Sequence, residues 1–347
     1  MLTTLTELPD GFLEIGADRL HELLDGPTLI HLPGDRPEPL FVSVLLHGNE
    51  HSGLLAVQQL LKQYAGSRLP RALSILVGNV EAARLNARIV PGHADYNRIW
   101  GYGDTPEHRM THAIIRDLQE RKVFAAIDIH NNTAKNPHYA LICNLDSHHC
   151  QLATMFDRTV VYARKPDTTC TWAMAELCPA VTLECGMPGE AVGVSHAVRL
   201  IDACLRLATI PAGRIDDADI DLFHTVAIVK VPAGNSFSFD NEDADIIFDK
   251  ALTNMNFNEV SPGMTFCRLK DGSYAEIEAW DEHGRNRADK YFMHDGSTYT
   301  FRIPVMPAML TTNPDIVRID CLCYLMERIR LSEYHETSEH PARVQTS

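Results

Sequence analysis

Between residues 40 and 210 the chain alternates short apolar runs with amphipathic stretches, and this alternation limits the fold more than any other feature. LFVSVLL (40–46), ALSILVGNV (72–80), VFAAIDI (123–129), HYALICNL (138–145), TVVYAR (159–164) and AVTLEC (180–185) read as strands. Between them GLLAVQQLLKQY (53–64), EHRMTHAIIRDLQER (107–121), SHHCQLATMF (147–156) and EAVGVSHAVRLIDACLRLA (190–208) carry helical spacing, the last with Val194, Val198, Ile201 and Leu205 on one face. Strands that alternate with helices predict an α/β fold, a mixed and mostly parallel sheet flanked by helices. After PAGRIDDAD (211–219) the pattern shifts to short β-rich runs broken by Gly, Asp and Asn: HTVAIVKVP, SFSF, MTFCRL, YAEIEAW and YTFRIPV. The expected organisation is an α/β domain over 1–212, a second, mainly β C-terminal domain over 213–330, and a polar, frayed tail over 331–347.

Composition excludes several partners. The formal charge is 31 − 46 = −15, the opposite of what a nucleic-acid surface needs. No segment approaches the ~18 apolar residues that span a bilayer, and the acidic N-terminus lacks the basic start and apolar run of a secretory signal. Nine cysteines, an odd number in apolar settings such as LICNL and TLECG, suit reduced thiols and a cytoplasmic location. Cys321 and Cys323 form a lone C-x-C and read as core or helix residues. Homo-oligomerisation is left open.

The chemistry lies at the strand ends. His47 and Glu50 follow FVSVLL, His130 follows AAIDI, and Glu184 closes AVTLE. In an open α/β sheet, ligands bind beyond the carboxyl ends of the strands. A lone histidine there is more often structural, and a lone buried acid is usually paired with an arginine. Together, two imidazoles and a carboxylate with one position open suit a catalytic zinc, with a second carboxylate as general base. Asp128, two residues before His130, shares its strand face and is placed to orient it. HGNEH (47–51) also matches the helical H-x-x-E-H signature, in which His51 would be a ligand and Glu50 the base. A strand leads directly into it, with Gly48 inside it and Ser52-Gly53 just after it, so the expectation is that Glu50 is a ligand, His51 a bystander, and Gly48 the residue that lets the backbone turn. His148 and His149 begin a helix and read as solvated; His21, His31, His93, His108 and His112 read as surface or structural. Asn86, Arg88, Asp95, Asn97 and Arg98 fall in one loop (78–100), where arginines could fork onto a carboxylate, polarise a carbonyl, or simply pair with surface acids.

The ordered set HGNE, a downstream R…DxNR, DIHNN and LECG resembles the succinylglutamate desuccinylase and aspartoacylase family, a branch of the zinc carboxypeptidase-like hydrolases. The likeness is specific over about residues 41–193 and looser through 330, where that family has a β-rich domain. The resemblance implies one zinc ion on His47, Glu50 and His130, with a second metal near Asp128 left open. It implies that Glu184 activates water and protonates the leaving amine, that Arg88 polarises the scissile carbonyl, and that Asn97 and Arg98 grip a substrate carboxylate. Members that remove succinyl or aspartyl-type groups carry further basic residues, whereas TTCTWAMAELCPAV, upstream of Glu184, has no Arg or Lys. Arg164 and Lys165 are the nearest, so a less charged or larger substrate is expected. A tyrosine from the C-terminal region often completes such sites, with Tyr274, Tyr291 and Tyr299 as candidates.

The expected function is therefore hydrolysis of a small N-acyl amino acid or related amide. A metallocarboxypeptidase, a small-molecule esterase and a non-catalytic metal-binding protein are the competing expectations.

Overall fold

The computed structural model describes residues 2–132, 136–240 and 243–334. In chain order the strands are β1 (Thr3–Leu5), β2 (Thr28–Leu32), β3 (Gly34–Val44), β4 (Leu69–Val77), β5 (Ala125–His130), β6 (Tyr139–Ile142), β7 (Thr159–Tyr162), β8 (Ala180–Glu184) and β9 (Asp221–Lys230). They are followed by β10 (Phe237–Ser238), β11 (Ile246–Ile247), β12 (Thr265–Leu269), β13 (Glu278–Trp280), β14 (Phe292–His294), β15 (Thr298–Phe301), β16 (Met306–Ala308) and β17 (Cys323–Arg328). The α-helices that precede β9 are α1 (Ser52–Gln63), α2 (Val80–Arg84), α3 (Pro106–Glu120), α4 (Ser147–Thr154), α5 (Cys170–Ala175) and α6 (Ala191–Arg206).

The large sheet runs β1-β2-β4-β3-β5-β8-β6-β7-β9-β17-β16, with β13 added on β9. The strands at its centre, β4-β3-β5-β8, pair in parallel, as do β6-β7-β9. β6 is antiparallel to β8, so the sheet is mixed. β10, β11, β12, β14 and β15 form a second, five-stranded sheet. The fold is the mixed α/β sheet with a β-rich addition that the run pattern predicts.

The apolar runs are continuous because helices cover both faces. Leu40, Val42 and Val44 pack with Leu54, Val57 and Leu60 of α1 and Val198 and Ile201 of α6. The alternate residue Phe41 packs on the other face with Ile114 and Leu118 of α3 and Met174 of α5. Local chemistry fixes where these helices begin. Thr105 caps α3 by accepting from the His108 amide, ahead of Pro106, and Asp146 and Thr169 cap α4 and α5 in the same way. His149, expected in solvent, is buried, with its Nδ1 3.0 Å from the Asp146 carboxylate. The nine cysteines are free. Of the tail, residues 331–334 form a short helix, and 335–347 lie outside the described residues. Among the described residues no helix is long and apolar enough to cross a membrane.

Candidate active site and metal centre

β3 ends at Val44, Leu45 takes a left-handed backbone (φ 56°), and the chain turns through His47–His51 before α1 begins. His47 and Glu50 therefore precede the helix, and His51 is its N-cap. Gly48 is needed for space and not for its turn: a Cβ there would stand 2.1 Å from the Ala82 backbone carbon. This approach packs the turn onto α2.

The donors converge on Glu50. His47 Nδ1 lies 2.8 Å from Glu50 Oε1, and His130 Nδ1 lies 2.8 Å from Oε2. One donor atom from each of the three buried residues falls within 4.8 Å of the others. The outer ring nitrogens are also held, His47 Nε2 by Asp95 at 3.1 Å and His130 Nε2 by Asp128 at 2.8 Å. The Ser43 hydroxyl in turn donates to Asp128 at 2.5 Å. With its outer nitrogen on a carboxylate, each imidazole is fixed in tautomer and aim, the arrangement that metal-binding histidines adopt.

Charge points the same way. Glu50, Asp95, Asp128, Glu184 and Asp320 share this cluster with two guanidiniums, Arg88 and Arg98. With Glu184 neutral, four carboxylates against two guanidiniums leave 4 − 2 = 2 negative charges, which a divalent cation would balance. Burial works against charge on Glu50, but His47 and His130 outweigh it and hold that carboxyl well below its usual range. Burial likewise opposes charge on His130, and Asp128 and Glu50 overcome it, raising the imidazole well above its ordinary value. A proton there does the electrostatic work that a metal ion would do. Two imidazole nitrogens and one carboxylate oxygen within 4.8 Å of one another fit a zinc-type ion that keeps a position open.

Glu184 stands beside His130 in the β5–β8 register. It is buried, and its Oε2 has no hydrogen-bond partner among the described residues. Burial pushes its carboxyl up to about 8, with His130 opposing and Glu50 reinforcing the shift.

Arg88 lies against Glu50 (3.6 Å), Asp95 (3.3 Å) and Asp320 (3.7 Å). Asn97 is held from both ends, its Oδ1 accepting from the Cys170 amide at 2.9 Å and its Nδ2 lying 3.3 Å from His130 Nε2. Arg98 donates to the Asn97 carbonyl at 2.8 Å and reaches Asp320 at 3.4 Å. All three line one crevice with His47, Glu50, His130 and Glu184, about 1060 Å³ of space including the open mouth. Asp128 lies behind His130. Asp320 and Tyr324 enter from the C-terminal third and were not singled out in the sequence. Tyr274 is fully exposed, and Tyr291 and Tyr299 pack in the core of the second sheet; Tyr139 and Tyr324 are the tyrosines that line the crevice. Lys165 lines it too, while Arg164 pairs with Glu282.

Residues 39–207 match the family model described as succinylglutamate desuccinylase/aspartoacylase catalytic domain. Over that stretch the chain is similar to this family's catalytic domain. The family's named members are hydrolases. A comparison with curated proteins finds no match. Similar solved structures include a succinylglutamate desuccinylase from Chromobacterium violaceum, 18% identical over 87% of this chain and 88% of that one, with TM-score 0.56. Murine aminoacylase 3 is 15% identical over 85% and 97%, with TM-score 0.55. A succinylglutamate desuccinylase/aspartoacylase from Rhodobacter sphaeroides is 13% identical over 86% and 88%, with TM-score 0.57. At these identities the likeness is one of fold.

Proposed function

We propose that this chain is a zinc-dependent amidohydrolase that removes the acyl group from a small N-acyl amino acid. The observation that carries the reading is the convergence of two carboxylate-backed imidazoles on Glu50, with the unpartnered carboxyl of Glu184 on the neighbouring strand. A bare binding site has no use for that unpartnered acid. The domain match and the solved deacylases of like fold support the same reaction class.

His47, Glu50 and His130 would hold the ion, which when bound supplies Lewis acidity for the carbonyl and lowers the pKa of water. Glu184 Oε2 takes the proton of the attacking water and returns it to the leaving nitrogen. Arg88 is placed beside Glu50 to share negative charge that develops on the carbonyl oxygen. Arg98, joined through its neighbour Asn97 to the His130 side of the site, orients a substrate carboxylate. The products are a carboxylic acid and an amine.

Metal analysis of the purified protein should find one zinc per chain, and hydrolysis of N-acyl amino acids should exceed that of peptides. Glu184→Gln should retain the metal and lose at least about a hundredfold in kcat, the scale of general acid–base catalysis. Cleavage of peptides alone, or full activity in Glu184→Gln, would remove the proposal.

A further inference from the structure

The crevice is longer than the chemistry requires, and its two ends differ. Its floor is one face of the large sheet, read at every second residue: Thr182 and Glu184 on β8, Tyr139 and Leu141 on β6, Val161 on β7, Met326 on β17. The strand register sets Thr182, Leu141 and Val161 side by side, leading away from Glu184. Beyond Thr182 the surface is largely apolar, with Leu141, Val161, Ala163, Met309, Ile316 and Met326 lining it and Thr225 of β9 a polar exception. α5 packs on β5 and β8 on this same face, its Thr171 hydroxyl 2.6 Å from that of Thr182, and walls the polar end.

The cations in the crevice are already engaged. Among the described residues its basic side chains, the histidines aside, are Arg88, Arg98 and Lys165. Arg88 meets three carboxylates. Arg98 meets Asp320, and Lys165, at the rim, meets Asp167 at 2.5 Å. Asp320 thus sits on both arginines, where a second anionic group of a substrate would have to bind. Arg98, with one carboxylate partner and a partly exposed side chain, can serve one substrate carboxylate.

Resting on the deacylase reading, we propose that the substrate is an N-acyl amino acid with a single carboxylate and an apolar substituent lodged on Leu141, Val161 and Met326, and that Asp320 makes the site reject a second carboxylate. Matching an apolar wall with an apolar group gains about fourfold per buried methylene. An anion left there without a partner loses at least about a hundredfold.

Two isosteric pairs test this on the metal-loaded full chain. On the acyl side, N-(4-methylpentanoyl)-alanine is compared with N-succinyl-alanine. On the amine side, N-acetyl-leucine is compared with N-acetyl-aspartate. In at least one pair the apolar member should lead by a hundredfold or more in kcat/KM, and neither pair should favour the dicarboxylate. A preference for the second carboxylate in either pair, or no discrimination in both, overturns the inference. Calorimetric binding of the same compounds to Glu184→Gln reads the preference without turnover. Should none of them be hydrolysed while the apolar members still bind more tightly, the deacylase reading falls and this assignment stands. Asp320→Asn, which frees the arginine pair, and Leu141→Lys, which adds a cation at a half-buried floor position, should each narrow the preference about tenfold or more. A preference unchanged in both variants would overturn the roles given to these residues.

Discussion

Glu184→Gln should make the metal-free protein more stable, and only where the pH asks Glu184 to ionise. In an unfolded chain a glutamate titrates near 4.3–4.5, whereas burial holds the folded Glu184 at about 8. The folded state therefore keeps a proton that the unfolded state gives up between those values, and stability is lost as pH rises through that window. At pH 7 the gap of about 2.5 pH units above the unfolded value corresponds to ~3 kcal/mol, and at pH 5 to ~1 kcal/mol. Glutamine has the same shape and no charge, so it removes this cost while filling the same space. Urea denaturation after chelation, at pH 5 and pH 7, measures the difference. The variant should gain ~1 kcal/mol at pH 5 and ~3 kcal/mol at pH 7, with an unchanged slope against urea. A variant destabilised at both pH values, or stabilised equally at both, would refute the claim that burial governs this carboxyl. Loading the ion should reverse the ranking, because a cation beside Glu184 favours its ionised form.

Further outcomes follow from the same geometry. His47→Ala, Glu50→Ala and His130→Ala should each lose the metal in elemental analysis, whereas His51→Ala, which alters only the N-cap position of α1, should keep it. Asp95→Asn and Asp128→Asn should each weaken zinc affinity by about 10–100-fold in a chelator competition, since each carboxylate fixes one imidazole from behind. Gly48→Ala should cost ~2–3 kcal/mol in urea denaturation, because the added methyl meets backbone that cannot yield cheaply.

Much of the site was legible because its residues sit at strand ends. A run such as FVSVLL or AAIDI declares a strand, the residue after it must leave the sheet at its carboxyl end, and period two puts Asp128 behind His130. The capped, amphipathic helices were legible for the same local reasons. α5 was not, being six residues long in a stretch without a clear period. β17 was hidden because CYLMER is short and mixed, and its membership depends on pairing with β9 about a hundred residues earlier. Tyr324 and Asp320 came into view only with that pairing.

The sequence by itself thus determined the alternating α/β order and the four strand-end residues, both of them consequences of local periodicity and side-chain chemistry. The tertiary structure decided what periodicity cannot carry. It brought Asp95 behind His47, set Asp320 on the two arginines, and extended the sheet face through β6, β7 and β17 into a largely apolar floor. Those relations depend on which distant strands share hydrogen bonds, and strand pairing is a property of the whole chain's packing, not of any one segment.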